Sequence, residues 1–137
     1  MSYLIDTCVI SELSKDAPAT AVIDWLQAQA EDDLHLSVIT VAELRRGISR
    51  LTQGRKRTGL ESFFTRVRDR FADRILPITD QVAIAWGEVF AFERPLNWPD
   101  SMIAATAWAH QLTVVTRNRG DMERVRVFDP WEGLKER

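Results

Sequence analysis

The run Tyr3-Leu4-Ile5, followed at once by Asp6, constrains this chain more than any other stretch. Three apolar residues rich in strand formers are too few for a helix and show no polar alternation. They predict a strand buried on both faces, as in the middle of a parallel sheet. Asp6 then stands at the strand's C-terminal end, the edge where open α/β sheets bind their ligands. An isolated Asp there reads equally well as the cap of a helix beginning near Thr7. Its meaning depends on what else reaches that edge.

The rest of the chain repeats the alternation of short apolar runs and helical stretches. Helical spacing continues over 9–13, and Val22, Trp25, Leu26 and Gln29 make one stripe over 19–30. A second strand is expected over 34–38, then a helix beginning at Thr40, where Thr40 and Glu43 have capping-box spacing. Gln53 to Gly59 is a polar connector, and Leu60, Phe63, Phe64, Val67 and Phe71 recur at helical spacing after it. These two helices predict a basic hairpin over about 41–73, projecting from the sheet. A short strand over 74–78, a helix capped by Asp80 and running to about Glu93, a loop over 94–99 and an alanine-rich helix opened by Asp100 follow. Strands over 112–116 and 125–128 close the chain. The order is that of a single α/β domain over 1–137, in three layers, α/β/α, with a central, mostly parallel, twisted sheet.

Composition limits the function classes. The lone Cys8 excludes an internal disulfide framework and suggests a reducing compartment. No basic-then-apolar leader and no long apolar span is present, so the expectation is a cytoplasmic protein without membrane contact. Ten Lys or Arg against three acids over 45–74 give that stretch +7 and leave −9 on the remainder. Such a block is either a solvated helical face or a track for a phosphate backbone.

Four carboxylates gain meaning together. Asp6 follows one strand, Glu43 opens the helix after another, Asp100 opens a helix and Asp121 lies just past a third strand. In a parallel sheet all four reach the C-terminal edge. Capping explains each separately, but not why several would share one cleft, since like charges within a few Å oppose folding. A divalent cation removes that cost, and hard oxygen donors without a His or Cys cluster point to Mg²⁺ or Mn²⁺. Such an ion suits phosphoryl chemistry. No Walker motif and no Gly-x-Ser-x-Gly occurs, and His35 and His110 stand alone on apolar elements. Cys8 occupies the second position of a would-be Asp-x-Asp, which argues against an aspartyl-phosphate phosphatase, and Asp6 lacks the acidic neighbour a receiver domain needs.

Four blocks carry a resemblance: Leu4-Ile5-Asp6-Thr7-Cys8-Val9-Ile10-Ser11-Glu12-Leu13, residues 37–46, Pro99-Asp100-Ser101-Met102-Ile103-Ala104-Ala105-Thr106-Ala107, and Thr116-Arg117-Asn118-Arg119-Gly120-Asp121. In order and spacing they resemble the PIN-domain family, and within it the VapC-type toxins of bacterial toxin–antitoxin pairs. The resemblance implies a Mg²⁺- or Mn²⁺-dependent endoribonuclease that cuts structured RNA such as tRNA or rRNA by metal-activated water. It also implies a homodimer, held in a higher assembly by a cognate VapB-like antitoxin that is itself a small DNA-binding protein. By position, Asp6, Glu43, Asp100 and Asp121 match the family's catalytic, metal-holding acids, and Thr7, Thr116 and Asn118 match polar residues flanking the site. Arg45, Arg46, Arg55, Lys56, Arg57, Arg117 and Arg119 are the candidates for RNA contact. Cys8 stands where the family usually has Asn, and Met122 where it usually has Phe. A catalytically silent RNA- or protein-binding module and a Mg²⁺-dependent small-molecule phosphohydrolase are the alternatives.

Overall fold

The computed structural model describes residues 1–90, 98–122 and 124–132, the side chain of Asp121 excepted. The described residues form five strands and six helices: β1 (Tyr3–Ile5), α1 (Thr7–Leu13), α2 (Thr20–Gln27), β2 (Leu34–Ser37), α3 (Val38–Ser49), α4 (Arg55–Arg70), β3 (Ile75–Leu76), α5 (Asp80–Val89), α6 (Trp98–His110), β4 (Thr113–Val115) and β5 (Val127–Phe128). The expected helix end near Glu93 and the loop from Arg94 lie outside the described residues.

All strand pairs are parallel, in the order β3-β2-β1-β4-β5. The chain builds outward from β1 through β2 to β3, then crosses back and lays β4 on the other side of β1. The order therefore reverses between β1 and β4. In such sheets the crevice outside the carboxyl ends of the strands at the reversal is where ligands bind. Asp6 follows β1 there, and Thr116 follows β4.

Strand alternation explains the three layers. Leu4 pairs with Val114 and Ile5 with Val115. Leu4 and Val114 face one core with Val82 of α5 and Met102, Ile103, Ala104, Ala105 and Ala107 of α6. Ile5 and Val115 face the other, with Val9 and Ile10 of α1, Val22, Trp25 and Leu26 of α2, and Val67 of α4. Small residues on α6 let its backbone lie close against the sheet. The α3–α4 pair does not simply project, because Val67 and Phe71 are buried in the second core and Leu44 and Phe63 pack on it.

Three helix starts differ from the sequence expectation. Ser37, not Thr40, caps α3, its hydroxyl accepting from Ile39 N at 2.9 Å. Pairing of Ser37 with Leu76 keeps the chain extended through residue 37, so the cap falls three residues early and Glu43 lies in the second turn. Thr79 rather than Asp80 caps α5 through Val82 N at 3.2 Å. Asp100 lies in the first turn of α6 rather than at its start, after a Pro99 that the first turn tolerates.

Ion pairs tie the basic segment to the body through Glu31 and brace it internally through Glu61. Arg70 and Arg74 grip Glu31, and Arg45 and Arg57 grip Glu61. Arg70 above all, with Arg74, holds Glu31 below the usual carboxylate range, and Arg45, then Arg57, does the same for Glu61. Glu12 is held low by Lys15 and by the Ala19 amide. Each of these groups stays ionised to lower pH in the fold than in the unfolded chain. Their stabilisation is complete above the ordinary glutamate value of about 4.3 and is lost as pH falls through the lowered values. Urea midpoints should hold from pH 7 to about 5 and then fall, and Glu31→Gln should flatten part of that fall. A flat profile down to pH 3 would contradict the pairing.

Candidate functional site

Asp6 caps α1 and sits in the crevice at the strand reversal. Its amide donates to Val115 O at 3.0 Å, extending the β1–β4 ladder past the strand end. This fixes the residue between the two strands at the reversal. One carboxylate oxygen accepts from Thr7 N at 2.8 Å, and the other from Thr116 Oγ1 at 2.7 Å. Cys8 Sγ, 3.6 Å away, donates to that second oxygen. Asp6 is only 3% exposed, yet among the described residues its carboxylate's partners are all neutral and no ion pair reaches it. Buried charges are ordinarily paired or coordinate metals, because removal from water is costly.

The neighbouring acids are linked to Asp6 through hydroxyls and an amide. Thr7 Oγ1 donates to Glu43 Oε1 at 2.6 Å and lies 3.0 Å from Thr40 Oγ1. On the other side Thr116 Oγ1 accepts from Asn118 N at 2.9 Å, and Asn118 Nδ2 donates to Asp100 Oδ2 at 3.4 Å. Glu43, Thr7, Asp6, Thr116, Asn118 and Asp100 thus form one continuous network across the crevice. The backbone of Asp121 closes a 3₁₀ turn (Arg119–Asp121) just beyond it, and its side chain lies outside the described residues.

Glu43 loses its competing explanation, since Ser37 caps α3 and nothing at the helix start needs Glu43. Sequence reasoning missed the part played by Thr40, read as a cap. It is one helical turn before Glu43, on the same face of α3, and that spacing was the available signal. Among the described residues no three of His, Cys, Asp and Glu gather closely enough to hold one ion. The hydrogen bonds described for Asp6, Glu43 and Asp100 come from neutral donors, which keeps these like charges satisfied without bringing them together. The donor set is nonetheless hard. Burial, and then the charge of Asp6, push the Cys8 thiol above its usual range, so it stays protonated and supplies no soft thiolate.

The PIN-domain profile matches residues 3–127. The chain belongs to the PIN-domain family. It is 39% identical over 135 residues to "Toxin FitB" of Neisseria gonorrhoeae, covering 93% of this chain and 97% of that protein. It is 36% identical over 136 residues to "VapC ribonuclease Y4jK" of Sinorhizobium fredii, covering 94% and 97%. The crystal structure of FitAcB from N. gonorrhoeae superposes with a TM-score of 0.86 at 38% identity, over 94% of this chain and 98% of that one. A toxin–antitoxin complex from Klebsiella pneumoniae superposes with a TM-score of 0.70 at 25% identity, over 94% and 98%. The three-layer α/β architecture expected from the sequence is therefore the architecture of the family.

The structure sorts the basic residues of this PIN domain into two kinds. Arg45 forks onto Glu61 at 2.7 and 3.2 Å and lies over the Phe64 ring, while Arg57 holds Glu61 and the Leu51 carbonyl. Arg117 stacks 3.9 Å over the Trp131 ring, and Arg119 pairs with Glu132 at 3.5 Å. Arg46, Arg55, Lys56 and Arg66 are exposed and join no ion pair among the described residues. Arg55, Lys56 and Arg66 line a cleft between α1 and α4, of about 1020 Å³, with Ser11, Ser14 and Lys15. Lys56 and both serines also line a smaller cavity of about 290 Å³ that reaches Thr7 and Glu43. Among the described residues no helix is long and apolar enough to cross a membrane.

Proposed function

We propose that this PIN domain is a VapC-type toxin, a metal-dependent endoribonuclease acting on structured RNA such as tRNA or rRNA, silenced by a VapB-like antitoxin. The observation that carries the reading is the buried Asp6 carboxylate, without a cationic partner among the described residues, in the crevice at the strand reversal. The relative named a VapC ribonuclease and the neighbouring toxin–antitoxin complex support the class.

Asp6, Glu43 and Asp100, with Asp121 beside them, would hold Mg²⁺ or Mn²⁺, and the all-oxygen donor set around a protonated Cys8 fits a hard ion. When bound, such an ion lowers the pKa of water and offsets charge on the phosphate oxygens. The chain's own residues set the geometry. Thr116 and Thr7 orient the two oxygens of Asp6, Thr7 also orients Glu43, and Asn118 orients Asp100. Asp121→Asn is expected to do less damage than a change at Asp6, because the turn that carries Asp121 lies beyond the network. The basic cleft leading to Glu43 favours a polymer over a small phosphate ester, which would need no such track. Exposed Ile84, Trp86 and Trp98, on α5 and at the start of α6, support a second copy of the chain as partner.

The test is RNA cleavage by purified protein free of antitoxin. Structured RNA should be cut with Mg²⁺ or Mn²⁺, left whole in EDTA, and cut again when metal is restored. Undiminished cleavage in chelator would overturn the metal assignment.

The cleft gives a second expectation. Replacing Arg55, Lys56 and Arg66 by Gln should weaken RNA binding and lower the salt slope by about 0.7–0.9 per lost phosphate contact. Arg45→Gln and Arg57→Gln should instead loosen the α3–α4 contact and leave the slope nearly unchanged. Filter binding over a salt series, read beside melting curves, separates the two groups.

A further inference from the structure

We propose that a second cleft, at the opposite edge of the sheet from the acids, is an RNA-binding site that stacks an unpaired base on Trp108 and holds an adjoining phosphate with Arg126. The inference rests on the ribonuclease reading and extends it to where the substrate is gripped away from the acids.

The cleft lies between the end of α6 and the segment entering β5. It encloses about 710 Å³ and is lined by Trp108, Gln111, Thr113, Arg124 and Arg126 over an apolar floor that includes Leu112 and Val125. Val125 and Val127 pack on the first core. Arg124 and Arg126 flank Val125 just before β5, and both are exposed at the cleft. The Arg126 carbonyl accepts from Val114 N at 2.9 Å, which pins this segment beside β4. No described carboxylate pairs with Arg126, and no acidic side chain occurs among the described lining residues. This is a cationic cleft on a chain of net charge −2.

The indole of Trp108 is 48% exposed. Trp108 sits where α6 terminates, with Leu112 N donating to Ala107 O at 2.9 Å and Gln111 N to Trp108 O at 3.3 Å. That terminus holds Gln111 at φ +58°, a left-handed conformation normally left to Gly. A Gln there adds an amide donor and acceptor at the rim, which suit a base edge. One flat indole flanked by guanidinium groups, rather than a broad apolar patch, matches stacking of a base with phosphates beside it. A protein anchor would need the broad patch.

Along α6, Asp100 and Trp108 are eight residues apart, roughly 12 Å. That is about four nucleotides of a helical strand, so one RNA can engage both ends and a very short one cannot.

The test is fluorescence anisotropy of a labelled 12-residue single-stranded RNA bound to the full chain in EDTA, where cleavage is blocked. Trp108→Ala should weaken binding about 5- to 100-fold and Trp108→Phe should recover most of it, the range of aromatic–base stacking. Arg126→Gln should lower the salt slope by about 0.7. With metal restored, both changes should raise KM on long RNA and leave kcat near wild type. If wild type cuts RNA while Trp108→Ala and Arg126→Gln bind with unchanged affinity and slope, this site falls and the ribonuclease reading stands. If wild type neither binds nor cuts RNA, that reading falls and takes the site with it. A Trp108→Ala protein that changes its sedimentation mass without changing RNA affinity would assign the cleft to a protein partner and overturn the proposal.

Discussion

Asp6→Asn should abolish RNA cleavage, by roughly a thousandfold or more, the scale seen when a positioned electrostatic element is lost from a reacting site. The fold should survive it. Asn keeps an oxygen for Thr7 N, which caps α1 at 2.8 Å in wild type. On the other side an amide N–H₂ replaces the oxygen that accepts from Thr116 Oγ1. Thr116 still accepts from Asn118 N and can turn its own hydrogen toward Cys8 Sγ, 3.4 Å away. One exchanged hydrogen bond is an effect of about 1 kcal/mol, a shift of about 3 °C in a domain of this size. In chelator the sign should favour the variant, because it removes a buried carboxylate that no cation balances among the described residues. With Mn²⁺ the order should reverse, since a ligand that binds only the folded state raises wild-type stability. Melting curves with and without Mn²⁺, run beside a cleavage assay, read all three effects. A variant that unfolds near room temperature would make Asp6 chiefly a structural cap.

Glu43→Gln separates charge from shape. Thr7 Oγ1 donates to Glu43 Oε1 at 2.6 Å, and the Gln carbonyl can accept the same bond. The start of α3 is secured by Ser37, six residues earlier, so no cap is disturbed. Stability should change by under about 1 kcal/mol. Cleavage should fall about a hundredfold, because the negative charge needed beside a hard cation is gone while the side chain stays in place. Single-turnover cleavage rates and thermal melts on the same preparations check this. A Glu43→Gln protein that melts early and still cuts at a normal rate would reduce Glu43 to a structural partner of Thr7.

The parts of the fold that depend on local pattern were legible in the sequence. Tyr3–Ile5 announces a doubly buried strand, and the alternation that sends Leu4 and Ile5 to opposite cores follows from strand geometry alone. The alanines of α6 announce close packing on the sheet. What stayed hidden depends on partners distant in the chain. Ser37 caps α3 because β3 pairs with the end of β2, a contact that no local rule anticipates, and Thr40 looked the better cap. The basic block was visible as charge, but Glu31, 39 residues from Arg70, decides which arginines are already engaged. Asp6 reads as a cap or as a site residue in sequence. In the structure one oxygen caps α1 and the other accepts from Thr116 across the crevice.

Direct titration with Mn²⁺, followed by its electron paramagnetic resonance signal, tests most closely whether the crevice carboxylates hold a hard cation. Wild type should bind the ion, Asp6→Asn and Asp100→Asn should lose that binding, and Arg55→Gln should keep it, with cleavage activity following the same order. Equal Mn²⁺ binding by wild type and Asp6→Asn, or RNA cleavage that persists with no ion bound, would contradict the account.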